Sequence, residues 1–189
     1  DFGSLSAVPA EEFFGAALWQ LNKAIDSPYK SVLKLLLMES YTSEYPSLDL
    51  LCRRFKQAVY AGQSDVDQLD PYVLMVRKVE EYLAARGERE RRELARKCFY
   101  FKVGLRLGAR RPRFSERRVQ LMDQLIEDWG WGQEQLLVLD SRATWKIHRV
   151  LEERTLLVDE LTRSYRNVSD FARQHLSLIH ISEPTRLRR

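Results

Sequence analysis

Apolar residues along this chain recur at steps of three and four, which is the spacing of one face of an α-helix. The first helix is predicted over residues 10–24, with Phe14, Leu18, Leu21 and Ile25 on its buried face. No stretch shows the alternation of a strand bounded by hairpin turns, and no internal repeat is visible. The pattern predicts an all-α fold, an irregular bundle of about seven helices that includes a long C-terminal helix.

Prolines and capping residues divide this pattern into separate helices. Ser27 stands before Pro28 and Asp70 before Pro71, so each pair sets a capping side chain ahead of a proline at the first helical position. The missing N–H of proline costs nothing there. Ser115 is the predicted cap of a later helix. After the first helix, the boundaries are predicted at about 28–41, 48–62, 71–87, 94–105 and 115–129.

The stretch 133–171 is predicted as a short helix followed by a long one, with an interruption near Asp140 and Ser141. Leu151, Val158 and Tyr165 are spaced by seven and predict a seam against neighbouring helices. From about residue 176 the helical period is lost, and residues 177–186 resemble read-through of a cloning or sequencing adapter. The predicted organisation is one helical region, 1–175, followed by a non-native tail, 176–189.

The pattern also predicts which cysteines, tryptophans and further apolar residues are buried. Leu48, Leu51, Phe55 and Val59 trace the apolar face of the helix over 48–62. Cys52 and Cys98 are expected as buried thiols, which fits a reducing cytoplasm. The tryptophans are expected as core anchors rather than ligand platforms: Trp19, Trp129, Trp131 and Trp145.

Composition supports a packed core and excludes two classes of protein. Hydrophobic residues make up 44% of the chain and aromatic residues 11%, which is too apolar for a disordered chain. The longest apolar run, residues 32–38, is interrupted by Lys34 and falls far short of the roughly 20 residues of a membrane span. The chain opens at Asp1 without a Met or a signal pattern, so its start is expected to be an excised boundary.

A basic run over residues 86–118 holds thirteen Lys or Arg against four Glu. Such a density can neutralise the phosphates of a nucleic acid. Its basic residues alternate with the apolar positions Leu94, Cys98, Phe101 and Leu105, as they do on the outer face of a helix. A solvated helix face or a contact with another domain is therefore favoured, and nucleic-acid binding is not.

Lys30 and Lys34 are four residues apart and share a helix face one turn after Ser27. The helix N-terminus adds a partial positive charge and free N–H groups that favour phosphate. The alternative is a solvated stripe in which the lysine stems lie over apolar neighbours. Spacing alone favours that alternative.

No metal site is predicted from the sequence. Asp65 and Asp67 superficially match the Asp-x-Asp pair that holds Mg²⁺ in nucleotidyltransferases, but they lie in a polar loop. Metal carboxylates of that kind need rigid placement, usually at the end of a strand. The histidines assemble neither a triad nor a zinc cluster: His148, His175 and His180.

Seven blocks of sequence stand out along the chain: AEEFFGAALWQL at 10–21, SPYK at 27–30, DPY at 70–72, RKCFYFKV at 96–103, WGW at 129–131, RATWKI at 142–147 and SYRN at 164–167. In this order they resemble the class I adenylate cyclases of gammaproteobacteria. The resemblance covers about residues 3–172. It is far more specific than any single short motif.

The resemblance implies a part of a cytoplasmic enzyme that converts ATP to cyclic AMP and pyrophosphate with Mg²⁺. In that family a polymerase-β-like nucleotidyltransferase domain precedes this stretch and carries a Gly-Ser motif and paired aspartates, none of which lie here. Mg²⁺ is therefore expected to bind outside this chain. The expected partners are the upstream nucleotidyltransferase domain, ATP and a downstream regulatory domain, and the chain alone is expected to be inactive.

The resemblance also implies candidate nucleotide-binding residues, because in related nucleotidyltransferases the following helical domain supplies Lys and Ser to the triphosphate. Lys30 and Lys34 are the candidates for the β- and γ-phosphates, and Ser27 for a hydrogen bond. Tyr29 or Tyr41 is the candidate for packing on the nucleotide. The alternative function is a helical adaptor that binds RNA or an acidic protein through the 86–118 face.

Overall fold

A computed structural model describes residues 8–62, 70–108 and 116–180, without the side chains of 116 and 176–180. These residues form eight α-helices and one 3₁₀ turn, with no strand. The helices are α1 (Ala10–Lys23), α2 (Pro28–Glu44), α3 (Leu51–Tyr60), α4 (Pro71–Ala85), α5 (Arg89–Val103), α6 (Glu116–Trp129), α7 (Gln133–Asp140) and α8 (Ile147–His180), with the 3₁₀ turn at Ser141–Thr144. The all-α prediction is confirmed, including the long last helix and the break before it.

Helix α2 is the central element of the bundle. It packs against α1, α4, α5 and α8. Ten of its residues are buried, and they are spread around its circumference rather than along one stripe. A helix that is apolar on nearly every side must be surrounded by other elements. The remaining helices are therefore arranged around α2. No helix of the described residues is long and apolar enough to cross a membrane.

The two predicted helix starts behave differently. Asp70 Oδ1 accepts the backbone N–H groups of Tyr72 at 2.8 Å and Val73 at 3.1 Å, with Pro71 at the first helical position. That cap is confirmed. Ser27 precedes α2 as predicted, but its side chain makes no capping hydrogen bond. The predicted cap Ser115 lies outside the described residues.

The predicted buried face of α1 is wrong by about one position. The helix buries Ala10, Phe13, Ala17 and Gln20, while Ile25, just beyond its end, is 83% exposed. Small side chains explain the shift, because two alanines let α1 approach α2 and α8 closely. The sequence pattern selected the bulkier stripe on the neighbouring side of the same helix.

The seam predicted along α8 is wrong at two of its three positions, whereas Tyr165 is partly buried against the core. Leu151 is 52% exposed and Val158 is 50% exposed, whereas Leu157, Leu161 and Val168 are buried. The buried stripe also contains polar side chains, Glu160 and Ser164 among them. Binary hydrophobic patterning assigns such residues to the outside.

Helix α3 and two other predicted core residues also lie at the surface. No residue of α3 is buried, and Phe55 and Val59 on its apolar face are largely exposed. Cys98 is buried as predicted, but Cys52 is exposed. Trp129 and Trp131 are core residues, whereas Trp19 is exposed and Trp145 is only partly buried.

A buried ion network joins the helices around α2. The Arg91 guanidinium on α5 contacts Glu39 on α2 at 2.6 Å and Glu160 on α8 at 2.7 Å. Its Nη2 also donates to Ser164 Oγ at 3.1 Å. Glu39 accepts a further hydrogen bond from Tyr82 on α4 at 2.8 Å. Arg91 is thus an interior residue, which is an exception to the solvated helix face predicted for the basic run; Arg86 and Arg89 of that run are exposed.

Replacing Arg91 with Met is expected to lower the free energy of unfolding by about 3–5 kcal/mol, because Glu39 and Glu160 would be left buried without their cation. Urea or thermal unfolding measures the change. Arg173→Met is the matched control, since Arg173 is exposed and, among the described residues, pairs with Asp170 on its own helix. The control should change stability by less than about 0.5 kcal/mol. Equal effects of the two variants would contradict the role given to Arg91.

Stability should also depend on pH through this network. Burial by itself would raise the pKa of Glu39, but hydrogen bonds and charge from Arg91 outweigh it, and the pKa of Glu39 is lowered. A lowered folded-state pKa gives stability that is complete above the unfolded-state pKa, about 4.3. That stability is lost as the pH falls below this value. Unfolding midpoints between pH 7 and pH 3 should show this loss, and Arg91→Met should make it smaller.

Candidate functional site

A cleft of about 960 Å³ opens beside the start of α2. Its walls come from the ends of α1 and α5, the first turn of α2, the 3₁₀ turn and the first half of α8. Most of its lining is aliphatic or aromatic, and three arginines and two carboxylates also contribute: Arg106, Arg142, Arg154, Asp140 and Glu153. A concave, mainly apolar surface with a few polar groups is the usual form of a small-molecule site.

Tyr29 forms part of the lining of this cleft and is held by side chains from two other helices. Its ring lies 4.8 Å from that of Phe101, and its hydroxyl donates to Glu153 Oε1 at 3.4 Å. Burial, with a further contribution from the Glu153 charge, raises the pKa of Tyr29. The phenol therefore stays protonated at neutral pH, and Tyr29 occupies one fixed position.

Arg142 and Trp145 belong to the same site, and reasoning from the sequence did not assign them there. The Arg142 guanidinium lies 4.7 Å from the centroid of the Tyr29 ring and 5.3 Å from that of Phe101. The Trp145 ring meets Phe101 edge-on at 6.1 Å. The sequence block that holds both residues, 142–147, was noted only for its family resemblance. No helical periodicity marks it, because it spans the 3₁₀ turn and the start of α8.

Lys102 on α5 interacts electrostatically with two other cations, Lys30 on α2 and Arg118 on α6, and it lies over the ring of Tyr72. The pKa of Lys102 is lowered, first by burial; the charges of Arg118 and Lys30 lower it further, and the charge of Asp70 opposes them. This place thus combines burial with neighbouring positive charges. Such a place suits an incoming anion.

Lys34 follows Lys30 by one turn, and both side chains are partly buried. Within the described part of the chain, neither lysine forms an ion pair. Ser27 is exposed at the same end of α2, and its hydroxyl makes no capping bond. The structure places Ser27, Tyr29, Lys30 and Lys34 within the first two turns of the central helix, where Tyr29 lines the cleft and the other three are not among its lining residues.

Tyr41 lies apart from the other four candidates. At about 1.5 Å per residue it is some 18 Å beyond Tyr29 along the axis of α2. Its hydroxyl accepts the Leu51 backbone N–H at 3.1 Å, and its ring lies 5.4 Å from Lys78 Nζ. Lys78 in turn contacts Glu44 at 2.6 Å. Tyr41 thus joins α2 to α3 and α4 and does not line the cleft.

The described residues do not fit a magnesium site. They contain no group of three or more His, Cys, Asp or Glu side chains placed to hold a metal ion. The interior carboxylates already have partners: Glu39 and Glu160 bind Arg91. Asp140 accepts from the Tyr100 hydroxyl at 2.6 Å and from the Gly108 backbone N–H at 2.7 Å. Asp65 and Asp67 lie outside the described residues.

A family model and individual relatives of this chain indicate the same family. Residues 8–185 match the family model for the second domain of class-I adenylate cyclase. The chain is 47% identical over 175 residues to the adenylate cyclases of Yersinia intermedia and Escherichia coli K12, and 43% identical over 176 residues to that of Haemophilus influenzae. Each alignment covers 93% of this chain, which spans about a fifth of the length of these relatives. No solved structure gives a significant match.

Proposed function

The chain belongs to the class-I adenylate cyclase family. From this premise we propose that it is the helical substrate-side and scaffold part of a cytoplasmic enzyme, one that converts ATP to cyclic AMP and pyrophosphate. The observation that carries the proposal is the pair of partly buried lysines in the first two turns of α2, Lys30 and Lys34, which form no ion pair within the described residues. Lys102 on α5 adds a positive charge that interacts with Lys30. We take this end of α2 as the place where the triphosphate binds.

Three physical effects favour a phosphate at this end of α2. The partial positive charge of a helix N-terminus and its free N–H groups attract anions. Partly buried ammonium groups interact more strongly with an anion than fully solvated ones do, because less water screens them. Ser27 supplies a hydroxyl that is not used in capping. The β- and γ-phosphates are accordingly assigned to Lys30 and Lys34, with Ser27 as a hydrogen-bond donor.

Tyr29 is the better candidate for contact with the nucleotide, and Tyr41 is the weaker one. Tyr29 lines the cleft in the same turn of α2 as Lys30. Tyr41 is engaged with Leu51 and Lys78 in another part of the bundle. Contact of Tyr41 with the same nucleotide would require these interactions to break.

The chemical step itself is assigned to residues outside this chain. Attack of the ribose 3′-oxygen on the α-phosphate requires activation of that oxygen and neutralisation of developing negative charge. A magnesium ion held by carboxylates supplies both effects when it is bound. Since the described residues do not fit such a site, we assign the metal to the upstream nucleotidyltransferase domain. The role of this chain is to bind and orient the triphosphate.

The adaptor function through residues 86–118 has less support from the structure. Arg91 is buried against Glu39 and Glu160. Arg96 is paired with Glu80 at 2.6 Å and with Glu93 at 2.5 Å. Cations that are already neutralised within the fold contribute little to binding an external polyanion. Residues 109–115 of the run lie outside the described part of the chain.

Replacing Lys30 and Lys34 with Ala in the full-length enzyme should lower kcat/KM for ATP. A hydrogen bond to a charged group contributes about 1.5–3 kcal/mol, which corresponds to a loss of about tenfold to a hundredfold for each lysine that contacts phosphate. Steady-state kinetics with varied ATP measures the loss. Lys23→Ala is the control, because Lys23 lies at the surface near the Trp19 ring. Unchanged kinetics in the double variant would refute the assignment of the phosphates.

The chain printed here should show no cyclase activity by itself, since it lacks the proposed metal carboxylates. Cyclic AMP formation with ATP and Mg²⁺ is measured for this chain alone and again with the upstream nucleotidyltransferase domain added as a separate polypeptide. We expect activity only in the second case. Turnover by the chain alone would overturn the division of labour proposed above.

A further inference from the structure

Parts of three apolar stripes that the sequence pattern identified as buried lie at the surface of the described structure, and two of these stripes, on α1 and α8, belong to helices that pack against each other. The stripe on α1 contains Leu18, which is 45% exposed, and continues to Ile25 beyond the end of the helix. The stripe on α8 contains Leu151 and Val158, each about half exposed. Both stripes have the regular spacing of a face that is in contact with another element.

The two stripes lie side by side, because α1 and α8 pack against each other in opposite directions. Phe13 is 6.0 Å from Phe171, and Phe14 is 6.1 Å from Tyr165. Thus residue numbers rise along α1 as they fall along α8. At the other end of the pair, Ile25 and Val158 line the same cleft. We call the combined surface of Leu18, Ile25, Leu151 and Val158 the α1–α8 face.

Single exposed apolar residues are common on protein surfaces and need no explanation. A continuous apolar face is different, because such patches usually mark contacts with another protein element. The α1–α8 face combines residues from two helices, and each set keeps a helical period of its own. An arrangement of this kind is typical of a surface that another domain covers.

We propose that the α1–α8 face is the docking surface for the nucleotidyltransferase domain of the same polypeptide. Chain length supports an occupant from the same polypeptide, because the matched relatives are about five times as long as the aligned region. Position supports that particular domain. The face ends at the cleft that Pro28 and Tyr29 line, so a domain seated on it reaches the start of α2. The choice of domain rests on the proposed function.

The test places a photo-reactive benzophenone amino acid at position 158 of the full-length enzyme, in the numbering used here. After illumination, mass spectrometry identifies the crosslinked peptides. The control carries the same amino acid at position 59, where another valine has nearly the same exposure, 46% against 50%, but lies on α3 away from the face. We expect position 158 to crosslink to peptides that precede this chain, and position 59 not to do so.

Each other result would overturn the proposal. Crosslinks from position 158 to segments that follow this chain would identify a different domain as the occupant, and a product of doubled mass would identify a second copy. The lack of any crosslink at position 158, or the same upstream crosslinks from position 59, would show that the face is not a specific interface. This result is independent of the Lys30 and Lys34 kinetics, so a failure of the proposed phosphate site would be recognised separately.

A second measurement guards against a crosslinking amino acid that disturbs docking. Leu151→Glu in the full-length enzyme places a charge in the proposed interface, at a residue that is not among those lining the cleft, and is expected to lower cyclase turnover at least tenfold. Val59→Glu is expected to leave turnover within twofold. Circular dichroism and thermal unfolding of both variants verify that the helices remain folded. Full turnover in folded Leu151→Glu enzyme would contradict docking through this face.

Discussion

The arrangement of this bundle depends on a guanidinium enclosed between two carboxylates. Arg91 connects α5 to Glu39 on the central helix and to Glu160 on the last helix. Because charges are costly to bury unless they are paired, these three groups must meet in the folded state. Glu39 and Glu160 are 121 residues apart in the sequence, so one interaction fixes the position of the C-terminal helix relative to α2. The apolar side chains of the core pack around this ion network.

Prediction from the sequence succeeded where local signals decide the structure, and it failed where contacts such as this one between distant residues decide it. Helix boundaries follow local signals such as Asp70 before Pro71, and local signals can be read along the chain. The inner face of α8 cannot be read in this way, since Glu160 and Ser164 become interior residues only when Arg91 is present from another helix. The inner face of α1 was missed because it is formed by small residues. Hydrophobic patterning gives weight to size and polarity, whereas close packing of helices also uses alanines.

The residues of the candidate site were likewise predicted from the sequence only in part. The order of Ser27, Tyr29, Lys30 and Lys34 along α2 was enough to predict that they share one end of a helix. The contribution of α5 was not predictable from spacing, because Lys102 interacts with Lys30 and Arg118 only through tertiary packing. Arg142 and Trp145 come from the junction before α8, where no periodic pattern exists. Prediction from the sequence therefore named the α2 residues of the candidate site and missed the residues that tertiary structure adds.

The contact of Arg142 with the rings of Tyr29 and Phe101 has a consequence for the electrostatics of the cleft. A guanidinium that stacks on an aromatic ring uses its flat face, while its N–H donors lie in its plane. Within the described residues, no carboxylate is paired with this cation. The charge is thus held in place by aromatic rings without being neutralised. An exposed cation thus remains beside a mainly apolar cleft, and a salt bridge at the same position would neutralise it.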